Sequence, residues 1–99
     1  MRNQPALLQP DAHPDHEGNH TTQRVRAVLQ AHGRLGRDAA QLSEDDDLYA
    51  AGMTSLASVN VMLALEGEFN IEFPDQMLNR SVFSSIAAIA AAVRKIDVA

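Results

Sequence analysis

The chain contains no cysteine and no tryptophan, and only 4% of its 99 residues are aromatic. The lack of cysteine excludes a disulfide framework, a thiolate nucleophile and a cysteine-based metal site. With so few aromatic residues, the core must be built from leucine, valine, isoleucine, methionine and alanine. Hydrophobic residues still make up 45% of the chain, which is enough for one small folded domain.

An excess of positive charge is also missing. Eight lysine and arginine residues stand against 13 aspartate and glutamate residues, giving a formal net charge of -5. This balance argues against a nucleic-acid binder and against docking on an anionic membrane. Residues 1–20 lack the apolar core of a signal peptide, and no uninterrupted apolar run could span a bilayer. We therefore expect a cytoplasmic protein that binds neither nucleic acid nor a membrane.

The first 20 residues are predicted to form a flexible tail before a folded domain at residues 21–99. Three prolines and a glycine interrupt this polar stretch, and it shows no sustained period. The histidines His13, His16 and His20 could contribute to a metal-binding tract. No cysteine or carboxylate arrangement completes such a site, so we predict that the chain binds no metal.

Hydrophobic spacing predicts three main helices, at about residues 22–32, 55–69 and 82–96. A long connection at residues 33–54 contains several leucines, which suggests that it packs over the core. A short helical turn is expected at about residues 75–79. No segment alternates like a strand over more than a few residues. The predicted fold class is therefore all-α, with three main helices, one short helix and a long first loop.

The helical periodicity also predicts which faces are buried. On the second helix the residues assigned to the core are Leu56, Val59, Met62, Leu63 and Phe69. Those assigned to the opposite face are Ala57, Asn60, Val61, Ala64 and Glu68. The last helix is expected to start after a Ser81 cap and to bury Phe83, Ile86, Ile89, Ala90, Val93 and Ile96.

A serine stands at the expected start of the second helix, at the end of the segment DLYAAGMTSL, residues 47–56. At this position its hydroxyl should be exposed, and the free N–H groups and dipole of a helix start favour a phosphate. Gly52 would let the loop turn sharply into the helix. The alternative interpretation is that Ser55 or Thr54 simply caps the helix.

The segment resembles the attachment motif of acyl and peptidyl carrier proteins, in which a leucine-containing loop leads through a glycine to the modified serine. The matching residues are Leu48, Gly52, Ser55 and Leu56. Residues 63–69 (LALEGEF) resemble the end of the family's second helix, and residues 71–75 (IEFPD) resemble the link that follows. Residues 81–82 resemble the start of its last helix. The resemblance covers about residues 20–97, with the pieces in the right order.

The resemblance implies a carrier-protein-like helical bundle that acts as a stand-alone, monomeric carrier and not as an enzyme. A phosphopantetheinyl transferase would attach 4′-phosphopantetheine from coenzyme A to Ser55, with the help of Mg²⁺. The thiol of this arm would hold an acyl or aminoacyl group as a thioester. The implied partners are that transferase, an adenylate-forming acyl or amino acid ligase, and a downstream acyl-transfer enzyme.

Two departures from fatty-acid carriers favour a dedicated carrier, loaded by an adenylate-forming ligase. Thr54 stands where fatty-acid carriers usually have aspartate, and Ala57 and Asn60 replace acidic residues that attract basic partners. A partner surface that works by shape and apolar contact is therefore expected. The residues predicted to form it are Met53, Thr54, Leu56, Ala57, Asn60, Val61 and Ala64.

Three other function classes fit the sequence less well. A calcium-binding EF-hand loop with Gly52 at its glycine position would place Tyr49 and Ala51 at ligand positions. A serine hydrolase elbow requires glycine two residues after the serine, which Ser55 lacks. A helical protein–protein interaction module, with Ser55 as a simple helix cap, is the remaining alternative, and a test for modification separates it from a carrier.

Overall fold

A computed structural model describes residues 14–97. Within this range the chain forms helices and no strand, so the predicted all-α class is confirmed. The three α-helices are α1 (Pro14–His32), α2 (Ser55–Phe69) and α3 (Ile86–Asp97). Two short 3-10 helices lie at Ala39–Gln41 and Asp75–Met77. No helix in the described range is both long enough and apolar enough to cross a membrane.

Helix α1 starts at Pro14, well before the predicted start at Thr21 or Thr22. A proline is tolerated in the first turn of a helix, because its missing N–H would have no helical partner there. The helix ends at His32, and Gly33 follows as predicted. A side chain at Gly33 would place its Cβ 2.8 Å from the carbonyl oxygen of Leu29. Residues 1–13, including His13, lie outside the described part of the chain.

The long connection between α1 and α2 is fastened to α1 and to the core. The Arg26 side chain donates hydrogen bonds of 2.7 Å to the carbonyl oxygens of Ala39 and Leu42. The Gln30 side chain accepts a hydrogen bond from the backbone N–H of Ala39 at 2.8 Å. Leu42 and Leu48 are buried. The prediction that this loop packs over the core is therefore confirmed.

The buried face of α2 differs from the predicted one at most of its central positions, although Met62 and Phe69 pack against the core as predicted. Its buried residues are Ala57, Val61 and Leu65, spaced four residues apart. Val61 is 0% exposed, whereas Leu63, assigned to the core, is 55% exposed. Leu56 and Val59 are exposed as well. Apolar residues surround most of α2, so hydrophobic periodicity does not define one face. Packing against α1 selects the buried face instead.

Helix α3 starts at Ile86, four residues later than predicted, and Ser85 rather than Ser81 caps it. The Ser85 Oγ accepts a hydrogen bond from the backbone N–H of Ala88 at 3.1 Å. The segment before it folds into turns, because the Asn79 Oδ1 accepts from the backbone N–H of Val82 at 3.1 Å. Most of the predicted stripe is confirmed, since the buried members are Phe83, Ile86, Ile89, Ala90 and Val93.

The core is aliphatic, as the composition predicts. Its largest fully buried side chains are Leu29, Leu48, Leu65, Ile86, Ile89, Val25, Val61 and Val93. One aromatic pair, Phe73 with Phe83, packs in the same core with ring centroids 5.3 Å apart. Helix α1 contacts both α2 and α3. The buried side chains of the three helices form one core, which fixes the position of α2.

Candidate functional site

Ser55 is the first residue of α2, and Thr54 is the residue that caps this helix. Thr54 has extended backbone angles, and its Oγ1 accepts a hydrogen bond from the backbone N–H of Ala57 at 3.0 Å. The exposed side chain of Ser55 forms no hydrogen bond with any described residue. Its carbonyl oxygen accepts one from the Ser58 hydroxyl at 2.7 Å. The capping role therefore falls to Thr54, and the hydroxyl of Ser55 remains available for chemistry.

We expect a Thr54→Ala variant to lose about 1 kcal/mol of unfolding free energy, because the N–H of Ala57 loses its capping acceptor. A Thr54→Ser variant keeps the hydroxyl and should retain most of that stability. Urea denaturation followed by circular dichroism measures both. If Ser55 were the cap, Ser55→Ala would show the loss and Thr54→Ala would not.

The turn that leads into α2 and places Ser55 at its start depends on Gly52. Gly52 has a φ of +117°, in the left-handed region that residues with side chains rarely adopt. A Cβ at this position would also lie 3.3 Å from the backbone nitrogen of Gly36. The next residue, Met53, is buried, and its N–H donates to the carbonyl oxygen of Leu48 at 3.0 Å. The predicted sharp turn at Gly52 is confirmed.

A cleft of about 340 Å³ opens beside Ser55. Its apolar lining comes from Val59 and Met62 of α2, and from Leu78 and Phe83 of the segment before α3. Arg80 also lines the cleft, and its guanidinium carbon lies 3.8 Å from the ring centroid of Tyr49. Sequence reasoning missed Arg80 because its stacking partner, Tyr49, lies in the loop before α2, far away along the chain.

The seven residues predicted to contact partners fall into two groups. Three of them, Met53, Ala57 and Val61, are buried, so their side chains do not lie on the free surface as the prediction requires. The others are exposed or half-buried, namely Thr54, Leu56, Asn60 and Ala64. Val59 and Leu63, which were assigned to the core, lie on the surface instead. We call the exposed set Leu56, Val59, Asn60 and Leu63 the α2 surface.

The acidic residues of the long loop have local roles. The Asp46 Oδ2 accepts a hydrogen bond from the backbone N–H of Ser43 at 2.8 Å and lies 3.7 Å from Arg37. The Asp47 Oδ1 accepts from the backbone N–H of Tyr49 at 2.9 Å. Among the described residues, no group of three or more histidine, aspartate or glutamate side chains could hold a metal ion.

Neither His20 nor His32 is placed to activate Ser55. His20 and His32 belong to α1, and neither lines the cleft beside Ser55. Among residues 20–97, no histidine therefore supplies the base that a serine hydrolase would require in this cleft. What Ser55 offers is an exposed, unbonded hydroxyl at a helix start, which suits attachment of a group by another enzyme.

Comparison with known proteins identifies relatives of the chain. A family model described as "Phosphopantetheine attachment site" matches residues 23–93. The chain is also similar to an aminoacyl carrier protein of Agrobacterium fabrum, with 46% identity over 72 residues. This match covers 73% of the chain and 87% of the relative.

Solved structures show the same fold. One contains an engineered Bradyrhizobium japonicum glycine:[carrier protein] ligase complexed with a carrier protein from Agrobacterium tumefaciens and ATP. The matching chain is 44% identical with a TM-score of 0.76, and the match covers 78% of this chain and 100% of that one. The Bradyrhizobium japonicum ligase complexed with glycylated carrier protein gives 23% identity and a TM-score of 0.64, covering 74% and 97%. At that identity the second likeness supports the fold alone.

Proposed function

The chain belongs to the family of carrier proteins with a phosphopantetheine attachment site, and from this premise we propose that Ser55 is the attachment residue. Members of this family are carriers and not catalysts, and their cofactor is a covalently attached 4′-phosphopantetheine. One observation carries the assignment of the residue. The Ser55 hydroxyl is exposed and forms no hydrogen bond at the start of α2, because the capping hydrogen bond from the N–H of Ala57 is accepted by Thr54.

The local structure suits the modification reaction of a phosphopantetheinyl transferase. The Ser55 oxygen would form a bond to the phosphorus that carries the pantetheine of coenzyme A. The bond from that phosphorus to the adenosine bisphosphate would break, and the hydroxyl proton would be lost. The first turn of α2 favours the negative phosphate, because helix N–H groups and the helix dipole are positive at this end.

The bound arm supplies a terminal thiol that holds a cargo as a thioester. The chain has no cysteine, so no thiol of its own competes with the arm for the cargo. We infer that the protein works as a monomeric carrier in the cytoplasm, serving a transferase, a loading ligase and a downstream acyl-transfer enzyme.

The loading partner is inferred to be an adenylate-forming amino acid ligase. The curated relative is an aminoacyl carrier protein, and the 44% identical carrier is complexed with an engineered glycine:[carrier protein] ligase. The α2 surface agrees with this assignment, since it presents Leu56, Val59 and Leu63 around the polar Asn60 and has no acidic side chain. A carrier of this kind does not need the charge steering that acidic helices provide. Glycine is the first cargo to test.

The loading experiment uses the modified protein with the engineered Bradyrhizobium japonicum glycine:[carrier protein] ligase, ATP and Mg²⁺. Glycine and a panel of other amino and fatty acids are compared by intact mass. We expect the protein to gain one glycyl group, and that this gain disappears after hydroxylamine cleaves the thioester. Loading of fatty acids by fatty-acyl ligases, with no amino acid loaded by any amino acid ligase, would contradict the aminoacyl assignment.

A Leu56→Glu variant tests the α2 surface. Leu56 is 73% exposed next to Ser55, so the substitution should leave the fold intact. A truncated or charged interface anchor typically costs about 2 kcal/mol, so we expect the KM for the carrier in ligase loading to rise roughly 30-fold. The control variant Ala91→Glu adds the same charge at an exposed position of α3 and should leave the KM unchanged. If the KM for Leu56→Glu is as low as the KM for Ala91→Glu, Leu56 does not contact the ligase.

A further inference from the structure

Arg80 lies in the cleft beside Ser55 and has no acidic partner among the side chains of residues 20–97. The ion pairs formed among residues 20–97 are Arg24 with Glu68 and Arg37 with Asp46. Arg80 forms neither an ion pair nor a side-chain hydrogen bond with any residue in that range. Arg34 and Arg94 are likewise exposed and outside these ion pairs, but only Arg80 of the three lines the cleft beside Ser55.

The position of Arg80 is fixed from two sides. Its guanidinium carbon lies 3.8 Å from the ring centroid of Tyr49, and the turn that presents Tyr49 is held by the carboxylate of Asp47. The carbonyl oxygen of Arg80 accepts a hydrogen bond from the backbone N–H of the buried Phe83 at 3.2 Å. A guanidinium stacked on an aromatic face keeps the N–H groups at its edge available to an anion.

We propose that Arg80 binds the phosphate of the arm on Ser55 and acts as a positioning residue for the base of that arm. The inference rests on the proposed attachment at Ser55, which would bring a negatively charged phosphodiester to the mouth of the same cleft. The planar guanidinium matches the geometry of phosphate oxygens. Covalent attachment holds the two groups at a high effective concentration, so even an exposed pair can form.

This contact would restrict the phosphate end of the arm and leave its thiol end free. The cleft that Arg80 and Ser55 share is lined by Val59 and Leu78, which offer apolar surface to the first carbons after the phosphate. The carrier would thus hold the arm by its base while the distal thiol reaches a partner enzyme.

Phosphorus NMR of the modified protein tests the proposal. The variants are Arg80→Gln, which removes the charge, and Arg80→Lys, which keeps it without the planar fork. Arg37→Gln is the matched control, because it removes a surface arginine that already has a carboxylate partner away from Ser55. A phosphate held by the protein gives a broader phosphorus resonance than a freely moving one. We expect the resonance of the phosphodiester to be broadest in the wild type and in Arg37→Gln, narrower in Arg80→Lys and narrowest in Arg80→Gln.

Two further readouts separate phosphate binding from a structural role. The Nε–H signal of Arg80 should shift when the apo-protein is converted to the modified protein. Added salt should narrow the wild-type phosphorus line toward that of Arg80→Gln, because salt screens an exposed pair. An unchanged Nε–H signal, or a phosphorus line that is the same in the wild type and Arg80→Gln, would overturn the proposal. A loss of ligase loading in Arg80→Gln with no change in the phosphorus line would assign Arg80 to a partner contact instead.

Intact mass of the wild type and of Ser55→Ala, taken before the spectra, distinguishes a failure of this inference from a failure of the proposed function. If the wild type gains no phosphopantetheine, the attachment at Ser55 is wrong. If it gains the arm at Ser55 and the spectra do not depend on Arg80, only the role of Arg80 is wrong.

Discussion

A Ser55→Ala variant will gain no phosphopantetheine from coenzyme A and will accept no cargo, while it keeps the wild-type fold. The loss should be complete, because the substitution removes the oxygen that forms the bond to phosphorus. Stability should stay within about 0.5 kcal/mol of the wild type, because the side chain is exposed and its hydroxyl is unbonded. Intact mass after incubation with Mg²⁺, coenzyme A and a broad-specificity transferase measures the modification.

Two neighbouring hydroxyls provide matched controls. Ser58→Ala removes a hydroxyl from the first turn of the same helix, where it donates to the carbonyl oxygen of Ser55. Thr54→Ala removes the capping hydroxyl next to Ser55 in the sequence. Both variants should gain the arm. If Ser55→Ala gains the arm, the attachment lies on another residue. If neither the wild type nor any of the three variants gains the arm, the chain carries no attachment site for this transferase.

A Val61→Asp variant will be largely unfolded, whereas Leu63→Asp will fold like the wild type. Val61 is fully buried, and Leu63 is more than half exposed on the opposite side of α2. An unpaired carboxylate in an apolar core should cost about 4 kcal/mol or more, a large part of the stability of a small domain. The exposed substitution should change the unfolding free energy by no more than about 0.5 kcal/mol.

Circular dichroism and urea denaturation of both variants provide the measurement. Both variants add the same charge two residues apart on one helix. Leu63→Asp loses more helix propensity than Val61→Asp, because leucine is the better helix former, so propensity alone would destabilise the exposed variant more. An unfolded Leu63→Asp beside a stable Val61→Asp would mean that the face first expected from the sequence is the buried one and that α2 is rotated in the structure.

The boundaries of α2 could be predicted because both of its ends carry local signals. Thr54 and Ser55 supply hydroxyls at the start, and a capping bond depends on residues within one turn. At the other end Asn70 adopts the left-handed conformation, with a φ of 54°, and its N–H donates to the carbonyl oxygen of Glu66. Such signals are local in sequence, so sequence reasoning can detect them.

The buried face of α2 could not be predicted, because the competing faces are both apolar. Leu56, Val59 and Leu63 are larger and more hydrophobic than Ala57, so periodicity alone favoured the wrong side. The structure buries the small Ala57 with Val61 and Leu65 against the core. A choice of this kind depends on the shape of the neighbouring helices, which no window of sequence contains.

The surroundings of the candidate site were predictable only where they are contiguous in sequence. Gly52, Thr54 and Ser55 lie in one loop and could be identified from their order and spacing. Arg80 and Leu78 enter the cleft from the segment before α3, and their approach to Ser55 requires the whole fold. The assignment of Ser55 as the attachment residue stays a prediction until the modified residue is mapped.

Fragmentation mass spectrometry of the wild-type protein after modification tests the central claim most directly. The protein is incubated with coenzyme A, Mg²⁺ and the transferase, digested, and sequenced in the gas phase under conditions that retain the phosphodiester. We predict one phosphopantetheine per chain, located on Ser55. A phosphopantetheine on Thr54 or Ser58, or no gain in mass while the same transferase modifies a known carrier in parallel, would contradict the account.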